Sequence, residues 1–530
     1  MKKITLLLVV LSFLSCGSVA KYNKQITKIH SKAELQEDID YAYGYLKRNH
    51  PDLDTYYSQE TIDHKFDSLK KAIKPMNTHD FYYALNEALK PIAQGHTSII
   101  MPFKEYTKKE RKARGKRTSF AYDYELKTIA NKLYISRQIK GDSALVVGTE
   151  IEQINDESVQ DLLAKYRKQI ISDGYNKTFQ PRVTGKRFWA FYAKDKGLID
   201  SVNLQCKLND SVFNHVLKAK YKKKGDEKIE DIATKKDSVK PNTDQTTKAV
   251  NKLAKKALRK KHKLYSYSKK EKVYYRDFKF VGDTINNPIA LLKIRGFSDG
   301  KYKKCYDEIF SKIDSSKAQH LIIDLRDNFG GSLNEITYLY SYLAKKDIQM
   351  IGKAKMTKRT SIFNVGLVNT GVVGKLITLA ASPYITYMML TKVKREKDGN
   401  LYFHYKASKK QSPKEKRFKG TIYVLTNGNS FSASAVFSTQ LKANKRATFI
   451  GEETGGAYNS TVAGMFIYPE LPNSKITMRF GLMNIETPYH QNPPGHGVYP
   501  DITLLPNATD LKNGIDTELD YTLKLINDNK

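Results

Sequence analysis

Cysteine is nearly missing from this chain. It occurs three times in 530 residues, and only Cys206 and Cys305 lie in the body of the sequence. Two cysteines close at most one disulfide, so a disulfide scaffold is excluded. The eleven histidines show no H-E-x-x-H and no paired cysteine spacing, and no G-x-x-x-x-G-K-[ST] loop occurs. Neither a metal nor a phosphate-bearing cofactor is therefore expected. Acidic residues are scarce beside basic ones, 55 against 91, for a net charge of +36. Such an excess raises nucleic acid or an anionic surface as a partner. Its distribution argues against nucleic acid: Lys218 to Lys272 holds 20 Lys/Arg and 7 Asp/Glu, so +13 of the +36 sits in a tenth of the chain. The rest is diffuse lysine, without arginine clusters to grip phosphate bidentately.

What is present is a globular composition, 40% apolar and 11% aromatic, in a chain long enough for two to four domains. It begins MKKITLLLVVLSFLSCGSVA. Lys2 and Lys3 form a positive region, Ile4 to Leu14 an apolar one, and Ser15 precedes Cys16. The apolar part is shorter than the ~20 residues a membrane span needs, so it reads as a cleaved signal. The junction resembles the lipobox of bacterial lipoproteins, with Phe13 where leucine is usual. That resemblance implies acylation of Cys16 and a lipid anchor. The following GSVAKYNK carries no acidic cluster, which points to an outer-membrane anchor facing the periplasm. Residues 1–15 are then a signal peptide and 16–30 a tether.

From 31 to 115 the pattern is helical, as in SKAELQEDIDYAYGYLKRNHP and THDFYYALNEALKPIAQ. Apolar residues recur at three- and four-residue spacing, Pro51 and Pro75 interrupt, and Ser31 or Thr78 serve as N-caps. The segment ends in AQGHTSII, which puts His96 on a turn between a helix and a strand. Residues 116–216 change to short strands and turns. Within them VVGTEIEQINDESVQDLLAKY is similar to a PDZ domain through Gly148, Ile151, Ile154, Asn155 and Val159. Residues 217–272 are a Lys-rich insertion or linker whose first half cannot bury enough apolar surface to fold alone. Thr246 to Lys263 within it suits a basic helix. Residues 273–530 form the core.

The chemistry is concentrated in that core. HLIIDLRDNFGGSLNEITYLYSYLA predicts a buried strand at Leu321–Leu325, a turn with Gly330 and Gly331, and a helix. Adjacent glycines at a helix start expose N–H groups at the positive end of the helix dipole, the makings of an oxyanion hole. TNGNSFSASAVFSTQ repeats the design after a strand at Thr421–Leu425, with a helix from about Ala433. Two such units suggest a parallel sheet whose strand ends converge on one cleft. A serine at a helix start is commonly only an N-cap, so Ser430, Ser432 and Ser434 each have a structural reading as well as a chemical one.

DLRDNFGG resembles the D-L-R-x-N-x-G-G motif of the C-terminal processing peptidases and their tricorn-core-like relatives. SFSASA and ATFIGEETGG resemble that family's nucleophile helix and following strand. The likeness implies an α/β fold with a crotonase-like ββα core, an N-terminal helical domain and a PDZ-like β-rich domain. It also implies a serine endopeptidase cutting extended or unfolded polypeptides in the cell envelope, without a cofactor. By it Ser432 is the nucleophile. The lysine that the processing branch uses as base falls at Ala457, and the glutamate expected three residues after the nucleophile is Ala435. The tricorn-like branch takes its base from an upstream turn instead, which maps to His96 in GHT; histidine suits the role because its ring is neutral near pH 7. Gly330, Gly331 and Ala433 would be the oxyanion donors. The orienting acid of that branch is missing ahead of GHGVYPD, and Glu486, Glu452 and the rings of His490 and His496 stand as substitutes. Arg326 and Asp324 read as an ion pair closing the strand end. Two readings from other classes stay open: a catalytically inactive binding protein on the same fold, and a polyanion-binding surface protein acting through the Lys-rich insertion. The sequence does not set the oligomeric state.

Overall fold

The computed structural model describes residues 19–141, 143–222, 245–283, 285, 287–298 and 300–528. The signal segment, Cys16 and residues 223–244 of the Lys-rich stretch lie outside the described residues. After a short helix at Val19–Thr27, within the expected tether, come three longer helices, α1 (Lys32–Asn49), α2 (Gln59–Ala72) and α3 (Thr78–Leu89). Ser31 caps α1 in a capping box with Glu34, which satisfies two otherwise orphaned N–H groups. The cap of α3 is Asn77 rather than Thr78; the Thr78 hydroxyl instead meets His30 Nε2 at 3.0 Å. Leu35, Ile39, Ala42 and Leu46 form the buried stripe of α1. They share a core with Ile467, Met478, Phe480 and Leu482 from the far end of the chain.

Strand β1 (Ser98–Ile100) follows. Then β2 (Tyr124–Ile129), β3 (Lys132–Gln138), β4 (Glu150–Ile154), β5 (Ser201–Leu208) and β6 (Ser211–Lys218) make an antiparallel sheet in the order β6-β5-β4-β3-β2. Helices α4 (Val159–Arg167), α5 (Phe179–Lys186) and α6 (Phe188–Lys196) pack on it around a core containing Trp189, Tyr166 and Leu204. The basic helix expected at Thr246–Lys263 is α7 (Gln245–Leu264).

The core opens with β7 (Arg276–Val281), β8 (Ile289–Ile294), α8 (Tyr302–Ser315), β9 (His320–Asp324) and α9 (Leu333–Ser341). It continues through β10 (Ala354–Met356), three short helices α10 (Ser361–Val368), α11 (Val372–Ala380) and α12 (Ser382–Lys392), β11 (Val393–Arg395) and β12 (Leu401–Phe403). Last come β13 (Thr421–Thr426), α13 (Ala433–Ala443), β14 (Thr448–Gly451), β15 (Ser460–Ile467), β16 (Thr477–Glu486), β17 (Ile502–Thr503) and α14 (Thr517–Asp528).

The central sheet runs β7-β8-β9-β13-β14-β17, parallel throughout except for antiparallel β7. Its strands are apolar on both faces because both faces are covered. Leu321, Ile323 and Val424 point to the side of α8, α9 and α13. Ile322, Tyr423 and Leu425 point to the side of α14. A second sheet runs β11-β12-β10-β16-β15, and β16 also pairs with β1. That last pairing, Ser98 opposite Arg479, carries the His96 turn to the core.

Candidate active site

Strands β9 and β13 are neighbours in register, so the two turns that leave their C-terminal ends lie side by side. Polar side chains fasten them together. Asp327 Oδ1 accepts from the amides of Asn427 (3.2 Å) and Asn429 (2.8 Å), and Asp327 N–H donates to Asn427 Oδ1 at 3.0 Å. Phe431 N–H donates to the Asn328 carbonyl at 3.0 Å. Ser430 Oγ donates to the Leu325 carbonyl at 2.8 Å and accepts Asn427 N–H at 3.1 Å. Asp324 and Arg326 form the anticipated ion pair, with Arg326 Nη2 2.8 Å from Asp324 Oδ2, and Arg326 extends it to Asp516 and Glu518. The aggregate charge of Arg326 and Lys293 holds the buried Asp324 carboxyl far below the usual range, against the desolvation that would raise it.

The serine trio separates cleanly. Ser430 is structural, and Ser434 is fully buried. Ser432 is half-buried and sits at φ 57°, ψ −125°, a left-handed conformation costly for a residue with a Cβ. Its side chain makes no cap hydrogen bond, so the N-cap reading fails for it. It precedes α13, and Ala433 N–H, the first of that helix, has no intrahelical acceptor.

Gly330, at φ 92°, packs under this serine: a Cβ there would stand 2.7 Å from Ala433 N and 2.9 Å from Ser432 Cβ. Glycine is required on both counts. Its N–H, however, donates to Asn328 Oδ1 at 2.9 Å, so Gly330 shapes the turn and is not an available oxyanion donor. Gly331 bridges Phe297 through neighbouring groups, Phe297 N–H to the Gly330 carbonyl and Ser332 N–H to the Phe297 carbonyl. Its own N–H has no partner among the described residues.

His96 reaches the same place from the other end of the chain. Its ring lies 4.7 Å from the Phe431 ring and 5.6 Å from that of Phe466. Its carbonyl accepts from Arg479 Nη1 at 3.0 Å. Burial, with a smaller contribution from the Arg479 charge, pulls its pKa down to about 3, so the ring is neutral at every physiological pH. The preceding turn is held by Asp173, whose carboxylate accepts Gly95 N–H at 2.6 Å and Ala457 N–H at 3.2 Å. That carboxyl is buried without a cation, and desolvation raises its pKa to about 6. The structure thus brings His96 to the residue beside Ser432, but the Ser432 hydroxyl and the imidazole share no hydrogen bond.

The group that faces His96 Nδ1 is Thr461 Oγ1, at 3.3 Å. Neither Glu452 nor Glu486 does so. Glu452 is taken by Arg182 Nε at 2.6 Å and by Gly428 N–H at 3.2 Å. Glu486 ends β16, where burial raises its pKa and Lys353 and Lys355 act against that rise. His496 pairs with Glu453 at 3.3 Å. Thr461 and Asp173 escaped sequence reasoning. A search for a carboxylate passes over a threonine in an ordinary strand, and Asp173 carries only a turn signal in SDGYN. Beside the motif turn a cleft of about 540 Å³ is lined by Arg137, Lys186, Arg187, Arg295, Trp189 and Phe329 among others. The Arg187 guanidinium stacks 4.6 Å over the Phe329 ring.

Residues 288–504 match the family model described as peptidase family S41. No curated protein matches the chain. Among solved structures, mature CPAF complexed with lactacystin is 16% identical with a TM-score of 0.59, covering 93% of this chain and 98% of its own. Mature CPAF alone is 15% identical with the same TM-score, covering 93% and 97%. The photosystem II D1 C-terminal processing protease is 13% identical with a TM-score of 0.42, covering 89% and 94%. At these identities the likeness to CPAF is one of fold.

Proposed function

From the match of residues 288–504 to the model of peptidase family S41, we propose that the chain is a serine-type peptidase in which Ser432 attacks the peptide carbonyl with His96 as its base. The observation that supports this most strongly is the strained, uncapped Ser432 at the start of α13, with its hydroxyl free and the His96 ring against its neighbour Phe431. In this reading His96 Nδ1–H donates to Thr461 Oγ1, which leaves the Nε2 lone pair to take the serine proton and later pass it to the leaving amine. Thr461 replaces the missing acid as the orienting group. The oxyanion forms against Ala433 N–H and Gly331 N–H at the positive end of α13; one such donor contributes about 3 kcal/mol in the transition state. The Ser–His hydrogen bond forms as substrate enters, a tightening common in hydrolases whose free state holds the pair apart.

Substrates are polypeptides in extended or unfolded form. The cleft beside Phe329 is lined by more cationic side chains than by the carboxylates Glu125, Glu271 and Asp327, an excess that favours segments bearing acidic side chains or a free carboxylate. The signal and Cys16 support a lipid-anchored enzyme of the bacterial envelope facing the periplasm, and residues 116–216 a PDZ-like module beside the core. A second reading, an inactive binding protein on this fold, draws on the separation of Ser432 from His96. Hydrolysis of an unfolded protein by the chain from Gly17, run beside Ser432→Ala and His96→Ala, decides between them. Loss of at least ~10³-fold in both variants is expected. A folded wild type that cleaves nothing would leave the binding protein, and activity surviving in His96→Ala would move the base elsewhere.

A further inference from the structure

Helices α11 and α12 present apolar side chains to solvent. Val373 is 72% exposed and Ile377 63%; Tyr384 is 66% exposed and Leu390 62%. Val372, Leu376, Leu379 and Tyr387 extend the patch. Only Thr378 of α11 is buried, and none of α12. A patch of this kind in a water-soluble fold marks a contact surface.

The pair is held in place by the helix before it, α10. Val365 and Val368 of α10 pack on the core shared with Ile467, and Gly366 allows Thr378 of α11 to close in, since a Cβ there would lie 2.4 Å from Thr378 Oγ1. The exposed face is therefore built into the fold.

Its charge selects the partner. From Thr357 to Arg395 there is no Asp or Glu, while Lys358, Arg359, Lys375, Lys392, Lys394 and Arg395 flank or punctuate the apolar residues. Tyrosines at the margin of an apolar patch and lysines around it are the composition of a helix lying in a membrane interface. Among the described residues no single helix is long and apolar enough to cross a membrane, and α11 and α12 meet at 64°. At ~1.5 Å per residue each is about half a bilayer core in length. We propose that α11 and α12 form a bent interfacial helix pair that docks the protein on an anionic lipid surface, apolar side chains among the acyl chains and the flanking lysines at the headgroups.

The surface adjoins the candidate site. Asn369, just after α10, donates its amide to the Phe466 carbonyl at 2.7 Å and accepts Tyr468 N–H at 2.8 Å, and the Phe466 ring lies on His96. Docking holds the site near the bilayer, whatever reaction it performs.

The test is vesicle flotation with the chain from Gly17, which contains every described residue and no acyl group. Phosphatidylcholine vesicles are compared with vesicles that also contain phosphatidylglycerol. Wild type should float with the anionic vesicles and release in high salt. Val373→Ser/Ile377→Ser/Tyr384→Ser/Leu390→Ser, and separately Lys358→Gln/Lys375→Gln/Lys392→Gln, should each weaken binding about tenfold or more with unchanged circular-dichroism melting. Absence of binding to either vesicle overturns the proposal. So does binding that survives both variants and vanishes when Lys255, Lys256 and Lys260 of α7 are neutralised. A dimer in analytical ultracentrifugation that the apolar variant dissolves, without vesicle binding, would assign the face to a second copy. Cleavage of a soluble polypeptide, measured alongside, keeps this result separate from the peptidase reading.

Discussion

Thr461 Oγ1 stands 3.3 Å from His96 Nδ1, and no carboxylate occupies that position. Thr461→Val, which keeps the shape and removes the hydroxyl, should lower kcat about tenfold, the worth of one neutral hydrogen bond, with KM little changed. Thr461→Ser should restore it. Equal kcat in the valine variant would deny Thr461 an orienting role.

The buried Asp173 carboxyl makes a pH-dependent contribution to stability. Its pKa is raised to about 6 from 3.8, so the folded chain holds this proton more tightly than the unfolded chain. The contribution is full below about pH 4 and is lost as pH rises through 6. Between pH 4 and 7 the unfolding free energy of wild type should fall by about 2 kcal/mol relative to that of Asp173→Asn. Parallel curves from urea titrations across that range would contradict it.

A lysine base remains the chemical rival to His96, and Lys186 is its best occupant. Burial lowers its pKa, as a general base requires, and it lines the cleft beside Phe329. It is, however, in ion-pair contact with Glu125. Lys186→Met should therefore keep kcat within about threefold of wild type while changing substrate preference, an effect no larger than loss of a peripheral contact. A collapse of single-turnover rate to the level of Ser432→Ala would instead identify Lys186 as the base.

Gly330→Ala should be inactive without any loss of an oxyanion donor. Its N–H is already given to Asn328, but a methyl group at φ 92° would press on Ala433 N and Ser432 Cβ. The strain, about 1–3 kcal/mol, falls on the backbone that positions Ser432. Thermal melting should drop by several degrees and kcat by more than ~10²-fold; a variant with normal kcat would show that Ser432 tolerates the shift.

Local chemistry was readable in advance. The strand expected at Leu321–Leu325 is His320–Asp324, the helix expected from Ala433 begins there, and Ser31 caps α1. Each depends on residues within a few positions, where turn, cap and periodicity signals act. The antiparallel β7 at the edge of an otherwise parallel sheet was not readable, because strand direction depends on a connection and not on the apolar run itself. Nor was the spending of Gly330 N–H on Asn328, or the approach of Thr461 to His96 across 365 positions. The apolar side chains of α11 and α12 drew no reading from the sequence, since only the fold reveals that they are left outside.

The pairing of β1 with β16 has a temporal side. A chain is made N-terminus first, so the His96 segment emerges early and waits. Its strand has no partner until residues 477–479 arrive, long after Ser432 has passed. Until then the His96 carbonyl has no Arg479 to hold it. A chain that stops short of residue 477 thus holds His96 and Ser432 without the strand pairing that brings them together, and about the last tenth of the sequence completes the arrangement once synthesis is nearly done.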